Sequence, residues 1–185
     1  MEGFETVEFF NATGADEPQL VDLFERVFTV SEGAEEGGVI GRLVRNLMRD
    51  TPPEDIHIFT GFEKADLVGG AIFSRLAYTD DPRQVFILSP MAVATEWQGK
   101  GVGQALLNHA LTVLRSGGVD VAITYGDPAF YSKVGFKVLS EADAASPLPL
   151  SLPGGWIGQS LNGATLAPLR GRCTCVPALR DPSIW

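Results

Sequence analysis

Residues Gln84–Tyr125 carry the pattern that most restricts the fold: an apolar run, a glycine-rich turn, an amphipathic segment and a second apolar run. The first run, Gln84–Ala94, is nearly continuous, which is typical of a central strand covered on both faces. Pro90 lies inside it, and because proline cannot donate to a sheet ladder, it predicts a bulge or a parting of strands there. From Gly101 the apolar residues recur at helical spacing, and Val119–Tyr125 is again of strand length. We expect a β-turn-α-β unit with two adjacent parallel strands.

The chain before this unit begins with a strand and two helical patterns. Thr6–Phe10 is predicted to be a short strand, and Asp16 begins a segment whose apolar residues recur every three or four positions. A second helical pattern, Val39–Leu47, ends at a pair of prolines. Ile56–Phe62 and Leu67–Tyr78 are rich in β-forming residues on either side of a turn-like connection. They predict a hairpin.

The remaining segments are shorter. Asp80–Arg83 is the connection that leads from the hairpin into the central strand, and Asp127–Tyr131 is predicted to be a short helical turn. Phe136–Leu139 begins a further strand, and Gly163–Leu169 is predicted to be the last one. A proline-rich connection separates these two strands. For Arg170–Trp185 the pattern makes no prediction.

The order of predicted elements is β, α, α, β, β, β, α, β, α, β. The chain has 185 residues, 45% of them hydrophobic and 20% charged, which is enough for one core. We therefore predict a single domain over residues 1–185, of the α/β or α+β class, with one mixed central sheet flanked by helices.

Charge and cysteine content exclude several classes of protein. The net charge is −9 and no run of Lys and Arg occurs, so we expect no nucleic-acid partner. The amino-terminal segment lacks a basic region followed by a long apolar run, and no stretch resembles a membrane span, which predicts a cytoplasmic protein without a membrane partner. Cys173 and Cys175 are expected to be free thiols. Only His57 and His109 are available to join them, both interpreted as structural, so we expect no metal site.

The segment Gln98–Gly103 (QGKGVG) lies between a predicted strand and a predicted helix. Glycines there allow the backbone close to a ligand, and the free N–H groups of a helix start favour an anion such as pyrophosphate. A Rossmann turn needs a third glycine where Gln104 stands, and a Walker loop needs Ser or Thr where Val102 stands. Both motifs match poorly, and a glycine-rich turn without a ligand remains the structural alternative.

With its flanks, this segment resembles the coenzyme A signature Gln/Arg-x-x-Gly-x-Gly/Ala of the GNAT N-acetyltransferase superfamily, matched by Gln98, Gly101 and Gly103. The strand sequence PMAV that begins at Pro90 and the element FYSKVGF that begins at Phe130 also resemble that family, in the same order. The resemblance covers roughly residues 4–140 and leaves 141–185 as a carboxy-terminal extension completing the sheet.

The resemblance implies a binding mode for acetyl-coenzyme A. Strands 84–94 and 119–125 would splay apart, the pantetheine arm would pair with the backbone near Ala92 and Val93, and the pyrophosphate would rest on the glycine-rich turn. The cofactor-binding residues implied in this way are Met91, Ala92, Val93, Gln98, Gly99, Lys100, Gly101, Val102, Gly103 and Gln104.

Tyr131 matches the tyrosine that in many family members protonates the departing coenzyme A thiolate. A phenol is a suitable acid for that step. The family's asparagine before this element is absent, Thr124–Asp127 standing in its place, and a purely packing role for Tyr131 remains the alternative. An amine must lose a proton before it attacks. Only predicted proximity suggests a base among Glu32, Glu35, Glu36 and Asp127.

Three hypotheses follow for the function. The first is an acetyl-coenzyme A-dependent N-acetyltransferase, with direct transfer to the amine of a small molecule or peptide. The acidic Glu32–Glu36 loop suggests a cationic acceptor. The second is a non-catalytic acyl-coenzyme A sensor or interaction module of the same fold, and the third is a structural domain without ligand. A homodimer is the assembly to test.

Overall fold

The computed structural model describes residues 7–12, 15–163 and 165–185. In these ranges the helices and strands are, in chain order, β1 (Val7–Asn11), α1 (Glu17–Glu32), α2 (Ala34–Asp50), β2 (Ile56–Glu63), β3 (Asp66–Tyr78), β4 (Val85–Val93), α3 (Val102–Ser116), β5 (Val121–Tyr125), α4 (Pro128–Tyr131), β6 (Lys137–Val138), β7 (Trp156–Ser160) and β8 (Cys173–Thr174). Within the described ranges, no helix combines the length and the hydrophobicity that crossing a bilayer requires.

The strands form one mixed sheet in the order β1-β2-β3-β4-β5-β7-β6, and β8 pairs with β3 outside that path. β4 and β5 are parallel, whereas β1 is antiparallel to β2 and β7 is antiparallel to both β5 and β6. The predicted fold class, α/β with a mixed sheet and flanking helices, is therefore confirmed. Thr6, which the prediction placed in the first strand, lies outside the described residues.

The chain divides into two compact units, one of residues 1–72 and 90–110 and the other of residues 73–89 and 111–185. The boundaries pass through β3, β4 and α3, so both units share elements of secondary structure. The expectation of a single domain over the whole chain stays a prediction.

In the first unit, α1 and α2 pack closely because glycines face the neighbouring helix. Asp16 caps α1 by accepting a hydrogen bond from the Gln19 amide at 3.0 Å. A Cβ atom at Gly37 of α2 would lie 2.8 Å from the carbonyl oxygen of Glu25, a backbone atom that cannot turn aside. The helix pair predicted from apolar spacing is thus confirmed, and its closeness depends on this glycine.

In the second unit, the parallel ladder between β4 and β5 ends early. Its register runs from Val85 opposite Val121 to Leu88 opposite Thr124, although β4 continues to Val93. The end of the ladder falls two residues before Pro90, which agrees with the separation that the proline predicted. The predicted β-turn-α-β unit, with adjacent parallel strands, is confirmed.

The prediction of a last strand over Gly163–Leu169 is wrong. Gly163 and the described residues 165–169 form no strand, and Ala164 lies outside the described residues. The strand that the sheet uses instead is β7, which lies between β5 and β6. It was missed because it directly follows the Pro- and Gly-rich connection, and only its cross-strand partners, from Tyr125 opposite Trp156 to Val121 opposite Ser160, reveal it.

A partly buried ion pair connects the carboxy-terminal segment to the connection between β3 and β4. The Asp81 side chain is 2% exposed and accepts two hydrogen bonds from the Arg83 guanidinium, at 2.7 and 3.0 Å, and one from the Arg83 amide at 3.1 Å. Arg83 also donates to the carbonyl oxygens of Ala167 and Pro168, both at 2.9 Å, and Asp81 accepts from the Arg170 amide at 3.2 Å. The Arg83 guanidinium holds the pKa of the Asp81 carboxyl well below its usual range.

We expect Asp81→Asn to lower the free energy of unfolding by about 3 kcal/mol at neutral pH, because it leaves the Arg83 charge without its buried partner. The folded-state pKa of Asp81 is depressed, so its contribution is complete above its ordinary pKa of about 4 and is lost as pH falls toward the folded value. Urea titrations at pH 7 and pH 3 measure both effects.

The matched control for this prediction is Asp22→Asn, which removes a carboxylate from an exposed ion pair with Arg26 on α1. This change should cost less than about 1 kcal/mol. Equal losses from the two substitutions, or a difference from wild type that does not shrink at acid pH, would contradict the role of Asp81.

Candidate active site

The turn Gln98–Gly103 connects β4 with α3 in the first unit. Gly99 and Gly101 have φ angles of 72° and 80°, in the left-handed region that favours glycine. No atom lies within 4 Å of the position that a Cβ of Gly99 would take, so this side of the turn is open. The Gln98 side chain donates to the Val93 carbonyl oxygen at 2.9 Å and ties the turn to the end of β4.

The helix start that follows the turn is suited to an anion. Val102 is the first residue of α3 and is 3% exposed, so the helix is anchored in the core at its first position. The Ala105 amide donates the first helical hydrogen bond to the Gly101 carbonyl oxygen at 3.1 Å. The amides before it have no acceptor within the helix, as at any helix start. The Lys100 ammonium lies 5.1 Å from the centroid of the Trp97 ring. Open backbone, helix dipole and this cation together fit a pyrophosphate group.

Met91, Ala92 and Val93 are the last three residues of β4. Ala92 is buried, whereas the side chains of its two neighbours are partly exposed. The next amide, that of Ala94, donates to the Val68 carbonyl oxygen at 2.8 Å, which fixes the strand end against β3. The structure thus brings together, in one unit, the strand end, the turn and the helix start that carry all the predicted cofactor residues, including Gly103 and Gln104.

Tyr131 is the last residue of α4 in the second unit. Its ring makes edge contacts with Phe130 and Phe136, with centroids 5.0 and 5.6 Å apart. A Cβ atom at Gly126 would lie 2.7 Å from the ring, so only glycine allows the ring this close to the end of β5. Burial raises the pKa of the Tyr131 phenol above its ordinary value, and Thr124 partly opposes the rise. The phenol therefore keeps its proton at neutral pH and can donate it.

The carboxylates considered as the general base are Asp127, Glu32, Glu35 and Glu36. The Asp127 side chain caps α4 by accepting from the Ala129 amide at 2.9 Å, and Glu32, Glu35 and Glu36 are exposed. None of these positions assigns a carboxylate to a reacting proton.

The histidines and cysteines occupy structural positions. The His109 ring packs on Phe9 and Phe59, with centroids 5.9 and 6.1 Å apart, and His57 stacks on Phe59 at 6.5 Å. The two thiols are free, as predicted, and the structure shows that both are buried. In the described part of the chain, no group of three or more His, Cys, Asp or Glu side chains has the arrangement of a metal site.

Two residues at these sites were missed by sequence reasoning. The Trp97 ring lies under the Lys100 ammonium. The sequence signal that could have identified it was an aromatic residue immediately before the glycine-rich turn. Thr124 is 2% exposed and donates from its hydroxyl to the Leu88 carbonyl oxygen at 2.9 Å. Its signal was a hydroxyl residue at the end of an otherwise apolar strand.

Comparison with known proteins agrees with this geometry. Residues 54–138 match the family model described as acetyltransferase (GNAT) domain. The uncharacterized N-acetyltransferase YjhQ of Escherichia coli K12 is 27% identical over 179 residues, which cover 92% of this chain and 94% of the relative. YhbS of the same strain, also an uncharacterized N-acetyltransferase, is 28% identical over 81 residues, 44% of this chain and 48% of its own length.

Solved structures share the fold. The crystal structure of the GNAT family N-acetyltransferase YhbS from Escherichia coli, in complex with coenzyme A, has a TM-score of 0.79 at 20% identity and covers 95% of this chain and 93% of its own. A GNAT family acetyltransferase from Brucella melitensis, in complex with acetyl-coenzyme A, has a TM-score of 0.67 at 19% identity, covering 93% and 97%. Residues 54–138 of this chain thus match the GNAT acetyltransferase domain, and the chain is similar to N-acetyltransferases in sequence and to GNAT family structures in fold.

Proposed function

We propose that this chain is an N-acetyltransferase that binds acetyl-coenzyme A and transfers the acetyl group directly to the amine of a small molecule or peptide. The observation that carries the proposal is the turn Gln98–Gly103, with left-handed glycines at a strand end and a helix start behind them. The complexes of YhbS with coenzyme A and of the Brucella protein with acetyl-coenzyme A support it.

In this proposal the backbone amides from Gly99 to Gln104 hold the pyrophosphate. Gly99 and Gly101 keep the approach free of side chains, and Lys100 adds a positive charge to the helix dipole. The local positive potential matters here because the chain as a whole carries a charge of −9, which disfavours anionic ligands elsewhere on its surface.

The strand end Met91–Val93 is proposed to bind the pantetheine arm through its backbone. An extended arm can pair with strand backbone in the way that a peptide adds to a sheet edge. The bound acetyl-coenzyme A supplies an activated thioester, and the chain's own groups hold it in place for the attacking amine. Positioning of this kind accounts for much of the rate of a direct transfer.

Tyr131 is proposed as the acid of the reaction. The bond between the thioester carbon and sulfur breaks as the amine nitrogen becomes acylated, and the departing sulfur needs a proton. Tyr131 Oη carries that proton at neutral pH because burial raises its pKa.

The acceptor is proposed to be a cationic amine. Glu32, Glu35 and Glu36 are exposed around the junction of α1 and α2 and add to the strongly negative charge of the chain. Such a surface raises the local concentration of cations, and its influence weakens as salt screens it.

A panel of cationic, neutral and anionic amines, incubated with acetyl-coenzyme A and read by release of free thiol, tests the proposal. We expect thiol release with at least one cationic amine, and the acetylated product by mass spectrometry. Tight binding of acetyl-coenzyme A without thiol release on any amine would instead favour a sensor of the same fold. No binding at all would overturn both the enzyme and the cofactor site.

A further inference from the structure

A pocket of about 590 Å³ lies in the first unit, where the start of α1, the end of α2, the end of β1 and the start of β2 meet. Its volume is within the range of small-molecule sites, and its lining is largely apolar, as the lining of such sites usually is. The apolar residues of the lining are Ala12, Ala15, Met48, Pro53, Ile56 and Ile58. The pocket therefore suits the body of a small organic molecule.

This pocket is separate from the glycine-rich turn of the same unit. The pocket lies at residues 56–58, at the start of β2. The strand end that leads to the turn is bonded through the Ala94 amide to the Val68 carbonyl oxygen, near the start of β3. Because β2 and β3 form a hairpin, the start of β3 lies beside the end of β2. The pocket and the turn are therefore located toward opposite ends of this hairpin.

Thr51, the residue that follows α2, brings an unpaired polar group to the lining. The residue is 7% exposed, and its hydroxyl is buried without a hydrogen-bond partner among the described residues. Buried polar groups in folded proteins nearly always have a partner, because an unpaired one costs free energy. Valine has nearly the same shape as threonine and no such cost. The hydroxyl of Thr51 is therefore not explained by packing, and it is available to a molecule in the pocket.

The charges of the lining favour an uncharged occupant. Among the described residues of the lining, Glu17 is the only carboxylate, and none is a lysine or an arginine. Both Glu17 oxygens accept from Arg49 Nε, at 2.9 and 3.2 Å, and Arg49 Nη2 lies 2.7 Å from Oε1. The carboxylate charge is thus already compensated by Arg49. An ion that entered the pocket would lose its hydration without gaining an opposite charge.

We propose that this pocket binds a small, uncharged molecule with an apolar body and one hydrogen-bonding group, and that this group pairs with the Thr51 hydroxyl. The apolar body replaces water against Met48 and Ile56, and this burial supplies most of the affinity. A turn about the Cα–Cβ bond of Thr51, between staggered rotamers, presents the hydroxyl to the molecule. The inference does not rest on acetyl transfer, because no lining residue belongs to the proposed cofactor or acid residues.

NMR of the methionine methyl groups tests the proposal, with benzyl alcohol as the probe. The chain has three methionines, of which Met48 lines the pocket and Met91 lies at the cofactor end of β4. Labelling with ¹³C gives three signals, which Met48→Leu and Met91→Leu assign. We expect benzyl alcohol to move the Met48 signal with a Kd of about 1 mM, ordinary for a molecule of this size, and to leave the Met91 signal in place. Acetyl-coenzyme A should move the Met91 signal instead.

Two related molecules and one substitution isolate the role of the Thr51 hydroxyl. Toluene keeps the ring of benzyl alcohol and lacks its hydroxyl, whereas benzoate carries a charge. We expect Thr51→Val to weaken benzyl alcohol roughly 5-fold to 10-fold and to leave the Kd of toluene within about twofold. In wild type, benzoate should bind at least about 10-fold more weakly than benzyl alcohol. Without a probe, Thr51→Val should melt no lower than wild type, because the group that it removes has no partner.

Ala12→Phe is the variant that fills the pocket. The Ala12 amide donates to the Ile58 carbonyl oxygen at 2.8 Å, which fixes this lining position beside β2. The variant should abolish the response of Met48 to benzyl alcohol. Ala65→Phe is the matched control, because it places the same ring in the exposed turn of the hairpin, and it should respond as wild type does. If Ala12→Phe does not fold, Ala15→Phe replaces it with the same expectation.

Three results would overturn the proposal. They are no movement of the Met48 signal with benzyl alcohol up to about 20 mM, an undiminished response in the folded pocket-filling variant, and equal changes of benzyl alcohol and toluene affinity in Thr51→Val. The proposed function fails independently of this inference. If acetyl-coenzyme A leaves the Met91 signal in place while benzyl alcohol moves that of Met48, the cofactor site is contradicted and the pocket is supported.

Discussion

Tyr131→Phe is expected to lower turnover roughly 10²-fold to 10⁴-fold while acetyl-coenzyme A binds nearly as well as to wild type, because the ring stays and only the proton donor is removed. The ring contacts with Phe130 and Phe136 do not involve the hydroxyl, so packing should survive. Steady-state rates at saturating cofactor and a direct binding titration measure the two quantities separately. The raised pKa of Tyr131 further predicts that the alkaline limb of kcat in wild type lies above the ordinary tyrosine value of about 10.

Tyr78→Phe is the matched control for this experiment. Its phenol is buried and donates to the Ala145 carbonyl oxygen at 2.7 Å, so the substitution also removes one hydroxyl from a packed tyrosine in the second unit. It should cost about 1 kcal/mol of stability and leave turnover within about threefold. If turnover of Tyr131→Phe falls as little as that of Tyr78→Phe, Tyr131 has a packing role and is not the acid.

Gly101→Asp is expected to abolish the rise in melting temperature that acetyl-coenzyme A produces. At a concentration 100 times the Kd, the wild type should gain about 2.7 kcal/mol, which corresponds to about 5 to 10 °C. The aspartate places a side chain at a backbone φ of 80°, a conformation that strains residues other than glycine. It also adds a negative charge next to the proposed pyrophosphate. Both changes oppose binding. Gly103→Asp should act in the same direction through its charge.

Gly163→Asp separates the effect at the turn from general strain. Gly163 has a φ of 81°, and no atom lies within 4 Å of the position of its Cβ, so the same substitution brings the same backbone strain and the same charge to a loop of the second unit. It should lower the melting temperature of the free protein but keep the shift with acetyl-coenzyme A. Equal shifts in melting temperature in wild type and Gly101→Asp would contradict binding of acetyl-coenzyme A at this turn.

Local patterns predicted the first part of the fold well because they report which side of an element is buried. Helical spacing identified α1 and α2, and β-forming runs identified β2 and β3 as a hairpin around the turn at Lys64. The same reasoning misplaced the last strand, because β7 follows a proline-rich connection and has no distinctive alternation of its own. Its membership of the sheet comes from its pairing with β5.

The residues of the candidate site also differ in whether the sequence could predict them. The turn Gln98–Gly103 was predictable because its chemistry comes from consecutive residues: glycines, the amides of a helix start and one lysine. The buried hydrogen bond of Thr124 was not predictable, because its partner Leu88 lies 36 positions earlier in the chain. A threonine at the end of an apolar strand is an ordinary residue until its partners are known.

The sequence by itself determined the class of fold, the central β-turn-α-β unit and the position of the glycine-rich turn. Hydrophobic periodicity and backbone freedom are local properties, and the order of residues is sufficient to express them. Only the tertiary structure decided that β7 lies between β5 and β6, that Asp81 and Arg83 hold the segment near Ala167, and that the Thr124 hydroxyl donates to the Leu88 carbonyl oxygen. These features depend on contacts between residues far apart in the chain, and such contacts form only when the whole fold brings their partners within hydrogen-bonding distance.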